Sequence, residues 1–137
     1  MKRTAFLLLS LFGFAFFFAM CGSVNKSENA ADEFYRLVKE KDYDALVELI
    51  DENALENHPS NVWTDLLKAK EEYWGDYISH KRTAFSANTE NGQTTTQLDF
   101  TVEHQKGTLY ERLKFVQRDD KMKIFDYQYN SVKSDLD

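Results

Sequence analysis

In the first half of the sequence, apolar residues recur every three or four positions, which is the pattern of amphipathic helices. The spacing predicts one helix over 30–40 and a second from Asp42, whose carboxylate can cap it, and the two can form one bent helix. Pro59 then breaks the chain, and Ser60 is placed to cap another helix that ends at Gly75. The predicted apolar face of that helix comprises Trp63, Leu66, Leu67, Tyr73 and Trp74.

After Gly75 the apolar period changes to two, which is typical of strands, and Asn91-Gly92 predicts a type I′ hairpin turn. Turns at Gly107 and at a three-residue loop over 119–121 complete four strands. We therefore expect an α+β fold, with two or three N-terminal helices packed on a curved four-stranded antiparallel meander. Pairing around the turns gives an apolar face of Phe85, Leu98, Phe100, Val102, Leu109, Leu113, Phe115, Phe125, Tyr127 and Tyr129.

The same pairing predicts a charged opposite face of the sheet. Its cross-strand pairs are Asp99 with Arg112, Lys114 with Asp126, and His80 with Glu103. Opposite charges across antiparallel strands suit a solvated face, and a slip of one residue would bury all of them. On the apolar face, the pairing places Lys81 opposite Val102, Thr83 opposite Phe100, and Phe115 opposite Phe125.

The first 20 residues indicate targeting rather than folding. Lys2 and Arg3 precede an uncharged run from Ala5 to Met20, which is shorter than the roughly 20 residues that a membrane span needs. Phe18-Ala19-Met20-Cys21 resembles the lipobox of bacterial lipoproteins, a family in which this cysteine carries lipid and becomes the first mature residue. Phe18 and Met20 depart from the usual pattern, in which a small residue comes just before the cysteine.

Cys21 is the only cysteine, which excludes an internal disulfide and a multi-cysteine metal site. A free exposed thiol is a liability in an oxidising compartment, whereas a thioether-linked one is not. The prediction is therefore lipidation at Cys21 and anchoring to a membrane of the bacterial cell envelope, inner or outer. An uncleaved N-terminal anchor, or secretion after cleavage near Ser23, are the alternatives.

This interpretation divides the chain into a signal peptide over 1–20, a lipidated cysteine with a flexible tether over 21–29, a single domain over 30–130 and a polar tail over 131–137. Lys2 and Arg3 are the only charges in the signal segment, so its removal changes the formal net charge from −6 to −8. Such an acidic protein lacks the basic surface that nucleic-acid binding requires.

The helical opening with the phrase KDYDALVELID, a third helix and a hairpin-rich sheet together resemble the nuclear-transport-factor-2-like (cystatin-like) superfamily. The resemblance covers about residues 30–130 and is strongest to small bacterial lipoproteins of that group whose domain has no assigned function. It implies a cone with a pocket between the helices and the concave face of the sheet. Some members, such as ketosteroid isomerase, are enzymes and many only bind ligands or proteins; no catalytic motif of that isomerase is matched here.

Glu111 is the candidate residue for chemistry, because it interrupts the apolar row of Leu109, Leu113 and Phe115. Desolvation on that face would raise the pKa of its carboxyl group, which suits a general acid or base. A bulge that turns Glu111 to water, or a structural hydrogen bond to a tyrosine, are alternatives. The other candidate ligand-binding residues are Lys81, Thr83, Tyr127, Tyr129 and Trp63.

No metal site or cofactor motif is predicted, since the three histidines lack ligand spacing and no phosphate-binding loop or nucleophile elbow occurs. Two function classes stay open. The first is a non-catalytic lipoprotein whose domain binds a small ligand or an envelope protein. The second is a small hydrolase or isomerase that uses Glu111 in a cone-shaped pocket. A homodimer packed sheet to sheet is a third, weaker alternative, which the charges on the outer face of the sheet disfavour.

Overall fold

A computed structural model describes residues 22–136 of the chain, so the predicted signal peptide, Cys21 and Asp137 lie outside the described residues. Four helices come first, rather than the two or three predicted, and a four-stranded antiparallel sheet follows in the order β1-β2-β3-β4, which confirms the α+β class. Within residues 22–136 no helix is both long and apolar enough to cross a membrane. The elements are α1 (residues 22–40), α2 (Tyr43–Val47), α3 (Glu52–Asn57), α4 (Ser60–Trp74), β1 (Tyr77–Glu90), β2 (Gln93–His104), β3 (Gly107–Arg118), β4 (Lys121–Asn130) and a final 3₁₀ turn (Lys133–Leu136).

Residues 22–29 are helical and continuous with the rest of α1, so the prediction of a flexible tether there was wrong. Ser23, Ser27 and Ala31 recur every four residues and are buried on one face of the helix. These small side chains let α1 approach its neighbours closely, and Phe34 and Tyr35 continue into the core. The sequence prediction relied on the periodicity of large apolar residues. This segment has small polar residues instead, so its packing in the tertiary structure was not apparent from that pattern.

The remaining helices begin and end largely as their local sequence dictates. The carboxylate of Asp42 accepts a hydrogen bond from the Ala45 amide at 3.1 Å and caps α2, as predicted. Pro59 rather than Ser60 occupies the N-cap of α4, because Ser60 is already helical. Gly75 ends α4 at φ 80° and donates its amide to the Glu71 carbonyl at 2.7 Å.

The predicted apolar face of α4 is divided in two. Trp63 and Leu67 are buried in the core, whereas Leu66 and Tyr73 are exposed at 38% and 73%. The prediction grouped Leu66 and Tyr73 with the others on one face of the helix, whereas the structure leaves these two outside the buried part. Only part of the apolar face of this helix is buried, and the periodicity of the sequence does not indicate which part.

The register at the centre of the sheet is the predicted one. Asn91 and Gly92 adopt φ values of 50° and 76°, as a type I′ turn requires. The confirmed pairs are Leu98 with Leu113, Phe100 with Glu111, Val102 with Leu109, Asp99 with Arg112, Lys114 with Asp126, Leu113 with Tyr127, and Phe85 with Leu98. The salt bridges Asp99–Arg112 and Lys114–Asp126 follow from this register.

An irregularity in β1 between Arg82 and Ala84 changes which side chains face the helices. Arg82 pairs with Phe100 and His80 with Val102, so the predicted positions of Lys81 and Thr83 on the apolar face were wrong. Both side chains are exposed instead. Ser79 likewise replaces His80 opposite Glu103. An extra residue reverses the alternation of a strand, which is why a uniform register fails at a bulge.

A second irregularity lies in β4. The turn at Asp119 and Asp120 has two residues rather than three, so Phe115 pairs with Ile124 and the predicted pair with Phe125 was wrong. Phe125 is 37% exposed, and Ile124 takes its place in the core. Phe85 is also exposed, at 59%, despite its correct register, because it lies on the edge strand β1.

Replacing Gly75 by alanine tests the junction between α4 and β1. A Cβ atom there would lie 2.8 Å from the Cβ of Gln105, in addition to the cost of a positive φ. We expect Gly75→Ala to lower the free energy of unfolding by about 2–4 kcal/mol in urea denaturation. Gly92→Ala is the matched control, since it has a similar φ but open space around it, and should cost about 1–2 kcal/mol. Equal losses in the two variants would contradict the close contact.

Candidate functional site

Five side chains from five elements meet in the interior between the helices and the sheet. Glu111 of β3 lies at the centre, and around it are Tyr35 of α1, Lys70 of α4, His104 of β2 and Tyr127 of β4. We call these five residues the Glu111 cluster. All of them are buried, and Glu111 itself is 0% exposed.

The carboxylate of Glu111 is bound on both oxygens. The ammonium group of Lys70 donates to Oε1 at 2.8 Å, and the hydroxyl of Tyr35 donates to Oε2 at 3.1 Å. Lys70 also donates to the hydroxyl of Tyr127 at 2.6 Å, and its Nζ lies 5.2 Å and 5.8 Å from the ring centres of Tyr127 and Tyr129. The buried charge of each partner is thus compensated by the other and by hydrogen bonds.

His104 completes the Glu111 cluster from the end of β2. Its Nδ1 lies 3.0 Å from the Gly75 carbonyl, and since a carbonyl only accepts, Nδ1 carries the proton of this bond. Its Nε2 faces Glu111 Oε1 at 3.6 Å. His104 therefore hydrogen-bonds to the residue that ends α4, while its Nε2 lies beside Glu111 and has no hydrogen-bond partner among the described residues.

Burial alone would raise the pKa of the Glu111 carboxyl group, as we expected from the sequence. The positive charge of Lys70 and the hydrogen bonds of Lys70 and Tyr127 outweigh that effect, and the pKa is lowered from its ordinary value. The expectation of a raised pKa was wrong, because the sequence did not reveal the cation. Burial and the charge of Glu111 raise the pKa of Tyr35 and of Tyr127 well above the usual value, so both phenols keep their protons.

The Glu111 carboxylate is closed off from solvent in this conformation. Since Glu111 has no exposed surface, no water-sized space touches its carboxylate. Grooves of about 800, 500 and 270 Å³ are lined by other residues. In this conformation the carboxylate is a structural anion, which matches the alternative that it bonds to a tyrosine.

Of the candidate binding residues, Tyr127 and Tyr129 lie beside Glu111, as the register predicted. Trp63 is 7% exposed and packs in the core rather than at a pocket mouth. Lys81 and Thr83 lie away from the Glu111 cluster, and the Thr83 hydroxyl donates to the Asp99 carbonyl. Cys21 lies outside the described residues.

Lys70, Tyr35 and His104 were not predicted as site residues from the sequence. The buried position of Lys70 could have been predicted, because this residue follows Trp63 and Leu67 at helical spacing on the buried face of α4. A lysine at a core position of a helix predicts a buried anion on the facing element, and Glu111 was the one acid on the apolar face. Tyr35 and His104 carried no comparable signal.

A second hydrogen-bonded chain fastens β1 to α1. His80 Nε2 lies 2.9 Å from Asp32 Oδ1, and His80 Nδ1 lies 2.7 Å from the Tyr77 hydroxyl. The His80 ring also stacks on Tyr35 at 4.2 Å. Burial raises the pKa of Tyr77, which opposes formation of a nucleophilic phenolate. This chain therefore holds β1 in place and does not resemble an activated nucleophile.

No protein-family model matches this sequence, and no curated protein is significantly similar to it. Among residues 22–136, no three side chains of the types His, Cys, Asp and Glu are grouped so that they could hold a metal ion. The Glu111 cluster must therefore be interpreted from its own geometry.

Lys70→Met tests the buried ion pair. The substitution leaves the Glu111 carboxylate buried without its cation, and we expect a loss of about 3–5 kcal/mol in the free energy of unfolding, measured by urea denaturation. The double variant Lys70→Met/Glu111→Leu replaces both charges with apolar groups and should recover most of this loss.

Lys114→Met is the control, because Lys114 forms a partly exposed salt bridge with Asp126 at 3.0 Å. It should cost less than about 1 kcal/mol. If the double variant is as unstable as Lys70→Met, the penalty does not come from an unpaired carboxylate.

Proposed function

We propose that this chain is an exported lipoprotein of the bacterial cell envelope whose folded domain binds a protein partner and catalyses no reaction. Lys2 and Arg3, the uncharged run to Met20 and the lipobox-like segment before Cys21 support the anchor. Because α1 is already helical at residue 22, a lipid on Cys21 would hold the domain directly against the bilayer. We also propose membership of the nuclear-transport-factor-2-like superfamily, which the order of four helices and an antiparallel meander supports.

The complete burial of Glu111 supports the proposal that the domain catalyses no reaction. A general acid or base must reach the proton that it transfers, directly or through one water. The carboxylate of Glu111 is bound by Lys70 and Tyr35 and is 0% exposed. It therefore contacts neither a substrate proton nor a solvent water in this conformation. The side chain of Lys70 lies beside this carboxylate, in the interior where the resemblance implies a pocket.

The exposed side of α4 supports a protein partner. Val62, Leu66, Ala69 and Tyr73 follow one another at intervals of four, three and four residues, which aligns them along the helix, and we call them the outer stripe. Val62 is 46% exposed and Tyr73 is 73% exposed. Rows of exposed apolar side chains of this kind are typical of interaction sites.

Acidic residues border the outer stripe on its free side, where Asp65 and Glu72 are both exposed. Helical spacing places these two carboxylates on one line next to the stripe. A complementary partner would therefore present an apolar surface flanked by Lys or Arg. This is the partner chemistry that we propose.

Two other functions have narrower support. A small ligand has space in the groove of about 500 Å³ between α1, α2 and β4, but that groove is lined by Lys26, Lys121 and Lys123 and equally by Glu33, Glu48 and Asp120, so it selects no charge. The enzyme hypothesis is favoured by the gathering of titratable groups around Glu111. It requires α4 to move away and to carry Lys70 with it.

Cys21→Ala tests the anchor. We expect the full chain to lose incorporation of a fatty-acid analogue completely and to accumulate with its first 20 residues attached, measured by gel fluorography and mass spectrometry. Met20→Ala is the matched control, since it restores a small residue before the cysteine, and lipidation should be equal or greater. Lipid labelling that persists in Cys21→Ala would exclude Cys21 as the modified residue.

Crosslinking tests the binding site. A photoreactive amino acid at Leu66 should give one discrete protein adduct in intact cells, and the same group at the exposed residue Gln128 should not. The charge reversals Asp65→Lys and Glu72→Lys together should reduce the Leu66 adduct by at least about fivefold, because they repel a basic partner.

The variant Lys70→Met/Glu111→Leu separates binding from catalysis in the same assay. A non-catalytic module should retain its Leu66 adduct without Glu111. Absence of any adduct at Leu66 beyond that at Gln128 would refute the outer stripe as the binding site, whether or not Cys21 is lipidated.

A further inference from the structure

The two edges of the sheet differ. At β4, the outer edge is occupied by the chain around Ile50, because the Asp51 amide donates to the Ile124 carbonyl at 2.7 Å and the Ile124 amide donates to the Leu49 carbonyl at 2.8 Å. At β1, within residues 22–136, no backbone hydrogen bond joins the outer edge to another segment. The 14-residue strand β1 thus presents unpaired amides and carbonyls to solvent.

The two halves of β1 are protected unequally against pairing. The first half has two register irregularities and the consecutive charges of Lys81 and Arg82, which are the devices that normally prevent an edge from adding a strand. From Ala84 to Glu90 the strand pairs with β2 without interruption. Its residues 84–89 carry no charge and include no proline. This half is a regular, unprotected template for another strand.

We propose that two copies of this chain associate through this half of β1, antiparallel and around a two-fold axis at Ser86. An axis perpendicular to the sheet keeps the helices of both copies on one side and requires directly opposite residues to share a face. With Ser86 on the axis, Phe85 lies opposite Ala87 of the second copy, and Ala84 lies opposite Asn88. The result is a continuous eight-stranded sheet.

The side chains suit this register on the helix-facing side. Phe85 is 59% exposed in the single chain, and the small Ala87 opposite it leaves space for the ring. The two Phe85 rings become diagonal neighbours across the axis, within the reach of aromatic side chains. Each copy therefore covers an apolar ring that the other leaves exposed.

The charges suit the same register on the opposite side. The extra residue of β1 between Arg82 and Ala84 brings Lys81 of one copy beside Glu90 of the other, and symmetry makes this pair twice. Lys81 and Glu90 are both exposed, and neither has an ion-pair partner among the described residues. Centring the axis on Phe85 or Ala87 instead would separate these two charges.

Disulfide crosslinking tests the register in the full chain in native membranes. Ser86→Cys places two thiols directly opposite on the axis, and mild oxidation should convert most of the chain into a species of twice the mass. Gln128→Cys is the matched control, because it is an exposed position on the other edge strand and should give no such species. Equal crosslinking of the two variants, or none for Ser86→Cys, would overturn the proposal.

Charge substitution tests the interface without a covalent bond. Two differently tagged copies should co-purify, and Ser86→Lys in both, or Ser86→Glu in both, should reduce co-purification by at least about tenfold because like charges meet on the axis. One Ser86→Lys copy with one Ser86→Glu copy should restore it. Because Ser86 is exposed, circular dichroism should show unchanged folding. Failure of the mixed pair, or self-association insensitive to these charges, would refute the interface, and neither result depends on the anchor or on the partner of α4.

Discussion

The buried salt bridge between Lys70 and Glu111 is the interaction on which the rest of the fold depends. It joins α4 to the centre of the sheet, and the tyrosines that bind it come from α1 and β4. A buried charge that loses its partner is costly, so each of these elements can be displaced only with the others. The ion pair therefore fixes one orientation of the helices, which apolar contacts alone would specify less strictly.

Because the same ion pair closes the interior, both of the interaction sites that we propose lie on the surface. The interior beside Glu111 is occupied by lysine and tyrosine side chains. The polar groups of the interior are used to hold the structure together. The surfaces that we propose for interaction are the outer stripe of α4 and the free half of β1, and they have different chemistry: one is apolar with an acidic border, and the other is mostly backbone.

The strand edges also differ in how they are managed. The chain after α2 crosses the edge of β4 and binds its backbone, while irregularities and charges protect only the first half of β1. An unprotected strand edge promotes uncontrolled association. A defined partner on the regular half of β1 would cover that edge and prevent such association. A second copy of the chain is the simplest such occupant, because a symmetric pairing covers the β1 edge of both copies.

The sequence by itself determined the features that neighbouring residues encode. The placement of helices before four strands, the cap at Asp42, the turn at Asn91-Gly92 and the register of β2 with β3 all follow from periodicity and turn chemistry, and these were predicted correctly, whereas the short helix α3 was not predicted. Glu111 and its neighbour Tyr127 also followed from that register.

Only the tertiary structure decided the rest. Bulges in β1 and β4 moved Lys81, Thr83 and Phe125 off the apolar face, since one extra residue reverses a strand's alternation and leaves little trace in composition. Packing against the sheet selected which half of α4 is buried and drew Lys70 onto Glu111. The pKa of that carboxyl group depends on a cation 41 positions away in the chain, and no local pattern specifies which distant charge will reach it.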